Sequence, residues 1–139
     1  MKIKSSALSL TVADVRPSSR FLQEHFGFQE SFSADGFAYL RHPGAGTDMV
    51  FLRVGLEVLP ERLHGQQAAG IIVAFVVDDV EAEEKRLKSS GVPITLALQE
   101  DPWGERLFQV EAPNAVTYQL VQWVQPADEQ YTVNPGSQP

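Results

Sequence analysis

The chain repeats itself. Val12-Ala13-Asp14-Val15 and Val77-Asp78-Asp79-Val80 echo each other, each placing an acidic residue where an apolar strand gives way to a helix. Gly27 ends the first helix and Gly91 the second, and Pro43-Gly44-Ala45 is answered by Pro113-Asn114-Ala115. One such unit is too small to bury a face of its own sheet, so the repetition implies two copies packed together.

In the first copy, residues 7–13 alternate Leu8, Leu10 and Val12 with Ala7, Ser9, Thr11 and Ala13, the signature of a strand with one apolar face. Asp14 caps the helix that follows, Pro17 fits only its first turn, and Val15, Leu22 and Phe26 recur at helical spacing. Residues 28–32 and 37–41 read as a hairpin around Ser33-Ala34-Asp35-Gly36, and residues 49–54 as a further strand. Residues 55–69 read as a linker with a turn of helix near residues 59–63. In the second copy, residues 71–77 form a nearly continuous apolar strand, and residues 80–90 a helix opened by Asp78 and Asp79. Strands follow at residues 92–98, 107–111 and 116–123. Ala112-Pro113-Asn114-Ala115 supplies turn chemistry, because Pro fixes φ and Asn tolerates positive φ.

The expected fold class is therefore α+β: two tandem βαβββ modules, about residues 7–54 and 70–123, whose curled mixed sheets form a cleft. Together they make one domain over residues 1–124. The remaining residues, 125–139, carry Pro126, Pro135 and Pro139 among polar residues without apolar periodicity, and are expected to be a flexible tail.

Composition narrows the function. A length of 139 residues with 43% hydrophobic and 21% charged residues is that of an ordinary globular domain. Zero cysteines exclude disulfides, thiolate metal sites and a cysteine nucleophile. A formal net charge of −7 argues against nucleic acid or an anionic membrane as partner. The longest apolar run, residues 70–77, is too short to span a bilayer. Ser9, Thr11 and Asp14 interrupt the segment after Lys2 and Lys4, so no signal peptide is expected and a cytoplasmic location is the default.

Catalytic patterns are thin. Glu81, Glu83 and Glu84 interleave with Lys85, Arg86 and Lys88 as on a solvated helix face. No Gly-rich phosphate loop, Ser/His/Asp set or HExxH pattern is present. His25, His42 and His64 read as solvated or capping residues, and Glu105 as the partner of a strand-edge ion pair, for example with Arg106.

Two stretches carry a resemblance. One is Leu10-Thr11-Val12-Ala13-Asp14-Val15 leading into Phe21-Leu22-Gln23-Glu24-His25-Phe26-Gly27-Phe28. The other is Pro102-Trp103-Gly104-Glu105-Arg106 followed by Ala112-Pro113-Asn114-Ala115 and Tyr118-Gln119-Leu120. Over residues 7–123 the chain resembles the vicinal-oxygen-chelate superfamily of glyoxalase I, the extradiol dioxygenases and the bleomycin-resistance proteins. The Pro-Trp-Gly-Glu-Arg run looks most like its antibiotic-binding branch. The resemblance implies metal ligands on the first and last strands of each module, at about Ala7, Phe51, Ile72 and Gln119. Three of these side chains cannot bind a divalent ion and a lone amide is a weak ligand, so neither metal nor other cofactor is expected. A homodimer is implied as well, since family members commonly close their half-open sheets by pairing two chains.

Strand alternation then sketches the cleft. Ala7, Ser9 and Thr11 would face it, with Met49, Phe51 and Arg53, with Ile72, Ala74 and Val76, and with Thr117, Gln119 and Val121. Phe37 or Tyr39 and the loop residue Trp103 would add aromatic walls. The expected ligand contacts are Ser9, Phe37, Tyr39, Phe51, Arg53, Trp103 and Gln119, with no catalytic residue. Met49 and Phe51 either line this space or fill it, and Trp103 either meets a ligand or lies as a lid on the core. Three functions fit in descending order. A binding protein would sequester a planar or aromatic small molecule such as an antibiotic. A lyase, isomerase or dioxygenase would have an atypical or lost metal site. An interaction protein would have a filled cleft.

Overall fold

The computed structural model describes residues 1–124, so the expected tail lies outside the described residues. Within them the chain divides into two compact units, Met1–Gly70 with Pro113–Val116, and Ile71–Ala112 with the strand from Thr117 onward. Each unit holds one helix and one four-stranded sheet, an α+β arrangement of two modules.

The first unit runs β1 (Ala7–Val12), α1 (Val15–Phe26), β2 (Gln29–Ala34), β3 (Phe37–Arg41) and β4 (Asp48–Arg53), in the sheet order β1-β4-β3-β2. β4 returns beside β1 in parallel, and the β2–β3 and β3–β4 pairs are antiparallel. A parallel return needs a crossover, which α1 supplies. Its start is local chemistry, since the Asp14 carboxylate accepts from the Arg16 N–H at 3.2 Å. Its end is Gly27 at φ 72°, a left-handed conformation that a side chain would resist, after which the Phe28 N–H reaches back to the Leu22 carbonyl at 3.1 Å.

α1 buries Val15, Phe21 and Leu22 on the sheet. Beneath them Leu10, Val12, Leu40, Met49 and Phe51 are at most 1% exposed. At about 1.5–3 kcal/mol for each large apolar side chain removed from water, this layer dominates the unit's stability. The segment after β4 is tied along β1: the Thr11 hydroxyl donates to the Gln66 carbonyl at 2.6 Å, and the Ala68 N–H to the Thr11 carbonyl at 2.7 Å. A short 3-10 turn, Glu61–Leu63, lies where a helical turn was expected.

The turn Pro113–Ala115 also belongs to this unit. Asn114 stands at φ 62° and clamps the entrance of α1. Its amide nitrogen donates to the Asp14 carbonyl at 2.7 Å and to the Ser18 hydroxyl at 2.6 Å, and its amide oxygen accepts from the Asp14 N–H at 3.3 Å.

The second unit runs β5 (Ile72–Val76), α2 (Val80–Ser89), β6 (Ile94–Glu100), β7 (Glu105–Ala112) and β8 (Val116–Trp123), in the order β5-β8-β7-β6 with β5 parallel to β8. The Asp79 carboxylate caps α2 by accepting from the Ala82 N–H at 3.1 Å, while the Gln122 side chain accepts from the Val80 N–H at 3.0 Å. Val80, Leu87, Phe108, Val110 and Tyr118 form the buried layer. No helix among the described residues is long and apolar enough to cross a membrane.

Candidate ligand-binding faces

The face of the first sheet turned away from α1 follows from register. Ser9 lies beside Val50 and Thr11 beside Leu52; Val50 in turn faces Tyr39, and Leu52 faces Phe37. Tyr39 also pairs with Phe32 across β2–β3. The Phe32 ring stacks on Tyr39 with centroids 5.3 Å apart and planes 11° apart, and on Phe37 at 5.3 Å and 28°. Phe32 is 57% exposed, a large apolar surface left in water on an aromatic platform.

The platform is held from one side. The Tyr39 hydroxyl donates to Asp48 Oδ2 at 2.7 Å, Arg41 Nε lies 3.4 Å from the same oxygen, and the Arg41 guanidinium sits 5.3 Å over the Tyr39 ring. These contacts fix the ring's plane and position. Ser9, exposed on the same face, offers a hydroxyl.

On the second sheet a chain of polar groups crosses β7 and β8. Gln109 Nε2 donates to Gln119 Oε1 at 2.8 Å, and Gln119 Nε2 to Glu105 Oε1 at 3.0 Å. The Trp103 indole N–H donates to Glu105 Oε2 at 3.3 Å. Trp103 is 40% exposed, as are Ile72 at 56% and Val76 at 50%, two residues of the β5 face that carries Gln119's neighbour Ala74.

Of the expected contacts, Ser9, Phe37 and Tyr39 share the platform face, and Trp103 and Gln119 share the second sheet's polar chain. Two others go elsewhere. Phe51 lies opposite Leu10 and beside Ala38, so it points under α1 and is completely buried. Met49 follows the same parity, and the outward positions of β4 pass to Asp48, Val50 and Leu52. Arg53 also turns to the helix side, where it forms a bidentate pair with Asp35 at 2.9 and 3.3 Å. That hydrogen bond, then the adjacent charge, lowers the Asp35 carboxyl below its ordinary range and raises Arg53. Gly36, at φ 75°, takes the left-handed conformation of the hairpin turn, and a Cβ there would stand 3.0 Å from the Arg53 guanidinium carbon and press on the pair. Arg53 borders a polar groove of about 720 Å³ between α1 and the β2–β3 hairpin, lined also by Arg16, Arg20, Glu24, Glu30 and Asp35.

Glu105 is likewise not paired with Arg106, whose Nε lies 3.5 Å from Glu100. The histidines are structural. His25 stacks on Phe21, His42 Nδ1 accepts from the Gly44 N–H at 2.9 Å, and His64 Nε2 lies 2.6 Å from the Leu59 carbonyl. Among the described residues no group of three or more His, Cys, Asp or Glu could hold a metal ion. With β4's outward residues corrected, Ala7 and Val50 of the first unit carry no donor side chain, and Ile72 and Gln119 of the second carry one amide, a weak ligand for a divalent cation.

Two βαβββ units, each with a parallel return strand and one open sheet face, define the architecture of the vicinal-oxygen-chelate proteins. The chain belongs to the Glyoxalase/Bleomycin resistance protein/Dioxygenase superfamily, whose family model matches residues 4–120. Solved structures agree in fold. A glyoxalase/bleomycin resistance protein/dioxygenase from Nocardioides is 17% identical, with a TM-score of 0.71, covering 96% of this chain and 91% of its own. A possible glyoxalase from Bacillus cereus is 27% identical, with a TM-score of 0.61, covering 86% and 98%. Lactoylglutathione lyase from Agrobacterium tumefaciens is 13% identical, with a TM-score of 0.69, covering 87% and 94%. No curated protein matches the chain.

Proposed function

We infer that this protein is a binding protein that sequesters a planar, largely apolar small molecule such as an aromatic antibiotic. The observation that carries this reading is the Phe32–Tyr39 stack: two nearly parallel rings, one of them 57% exposed, on the sheet face away from the helix. An exposed ring in a soluble protein loses favourable burial, and a flat ligand laid on it recovers that burial. Offset stacking adds about 0.5–1.5 kcal/mol per ring pair beyond area burial. The Ser9 hydroxyl and the Asp48-anchored Tyr39 supply polar contacts that orient the ligand without any covalent step. The lack of donor side chains at Ala7 and Val50 in one unit, and the lone amide of Gln119 beside Ile72's strand in the other, support binding over metal-assisted turnover.

The test is isothermal titration of the purified protein with a panel of planar aromatic compounds, including quinoxaline-type and glycopeptide antibiotics. Micromolar binding, about −8 kcal/mol, by at least one planar member is expected. Absence of binding across the panel, or turnover of a glyoxalase or dioxygenase substrate dependent on added metal, would overturn the reading.

A further inference from the structure

The second sheet holds a negative charge without a counter-charge. Glu105 is half-buried, and both its oxygens are occupied by neutral donors, Gln119 Nε2 at 3.0 Å and the Trp103 indole N–H at 3.3 Å. No Lys, Arg or His among the described residues pairs with it; the adjacent Arg106 is engaged by Glu100. Gln119 is itself fixed by Gln109 at 2.8 Å, so the carboxylate sits at the end of an ordered amide chain.

The turn before it adds to the field. Asp101, whose side chain accepts from Gln99 Nε2 at 3.0 Å, carries a second negative charge, and its backbone N–H donates to the Glu105 carbonyl at 2.8 Å. A partly desolvated carboxylate normally finds a cation, because neutral donors hold it in place without cancelling its charge. A carboxylate can accept further hydrogen bonds beyond the two made here. The partly exposed Trp103 stands against it, and the exposed Ile72 and Val76 lie on β5 of the same sheet.

We propose that Glu105, positioned by Gln119 and Trp103, is a recognition site for an organic cation: a positively charged nitrogen set in a planar or apolar frame. It rests on the reading of this protein as a small-molecule binder and assigns the second unit a ligand class of its own, cationic aromatic compounds. Inorganic ions fit less well, since one carboxylate with exposed apolar neighbours offers too few hard oxygens.

The experiment compares N-methylacridinium with neutral acridine at about pH 8, titrated into the wild-type protein and Glu105→Gln. The variant removes the charge and keeps one oxygen to accept from Trp103, while its amide nitrogen replaces the oxygen that accepted from Gln119. The wild type is expected to bind N-methylacridinium about tenfold more tightly than acridine, and Glu105→Gln to bind the two alike. Raising salt to about 0.5 M weakens only the cation's binding to the wild type, a readout that survives if the variant fails to fold. Acridine binding with no preference for the cation, or the same preference in Glu105→Gln, overturns the proposal and leaves the binding function standing. If neither dye binds the wild type, the cation proposal fails, and the binding function is decided by the wider panel.

Discussion

Phe51 faces Leu10 across the parallel β1–β4 pair, and both are buried under α1. This pairing decides which side of β4 is core and which can meet a ligand. Phe51→Ala should therefore act as a cavity mutation, costing about 3–5 kcal/mol. Denaturant unfolding measures it directly; a loss under about 1 kcal/mol would mean that the ring is not core.

Asn114 ties the turn before β8 to the start of α1, through contacts with Asp14 and Ser18. Asn114→Ala loses those bonds and keeps a side chain at φ 62°, whereas Asn114→Gly loses the bonds alone. We expect Asn114→Ala to cost about 2–3 kcal/mol, with Asn114→Gly less destabilising by about 1 kcal/mol. Equal midpoints for the two variants would show that the backbone conformation carries no strain.

Burial pushes the Tyr118 phenol above its ordinary value of 10.0. The folded protein then holds a proton that the unfolded chain releases near pH 10. Stability is intact below that pH and is lost as pH rises beyond it, by up to about 1.4 kcal/mol per unit. Tyr118→Phe should remove this component, so its urea midpoint should fall less than the wild type's between about pH 8 and pH 11. Parallel curves would contradict the assignment.

The helices were legible in the sequence because their ends are local chemistry: Asp14 and Asp79 cap the starts, Gly27 caps the end of α1, and Gly91, at φ 80°, follows the Ser90 cap of α2. The strands of both modules were legible for a similar reason, being apolar runs bounded by turn residues. The orientation of β4 was not. Asp48–Arg53 reads Met-Val-Phe-Leu at its centre, apolar on both faces, so only pairing with β1 decides which side chains point inward. Simple strand alternation, which places Phe37 and Tyr39 on one face, also misses Phe32, because a register shift between Glu30 and Phe32 changes the parity of β2. The Glu105–Gln119–Gln109 chain depends on cross-strand register, and the Asn114 clamp joins residues about a hundred positions apart.

Among the described residues, β2 is an edge strand of the first sheet and is exposed along its whole length. Exposed edges favour pairing with another chain, and we expect a homodimer. Sedimentation equilibrium should give twice the 15.4 kDa chain mass at tens of micromolar. A species at the chain mass would contradict it.

The aromatic platform is tested most directly by one ratio: the dissociation constant of Phe32→Ala over that of the wild type, by titration calorimetry with a planar ligand that the wild type binds. Phe32 is an exposed edge-strand residue, so the variant should melt within a few degrees of the wild type. The loss of stacking and buried area predicts a ratio of about ten or more. A ratio near one, with the fold intact, would show that the Phe32–Tyr39 face does not hold the ligand.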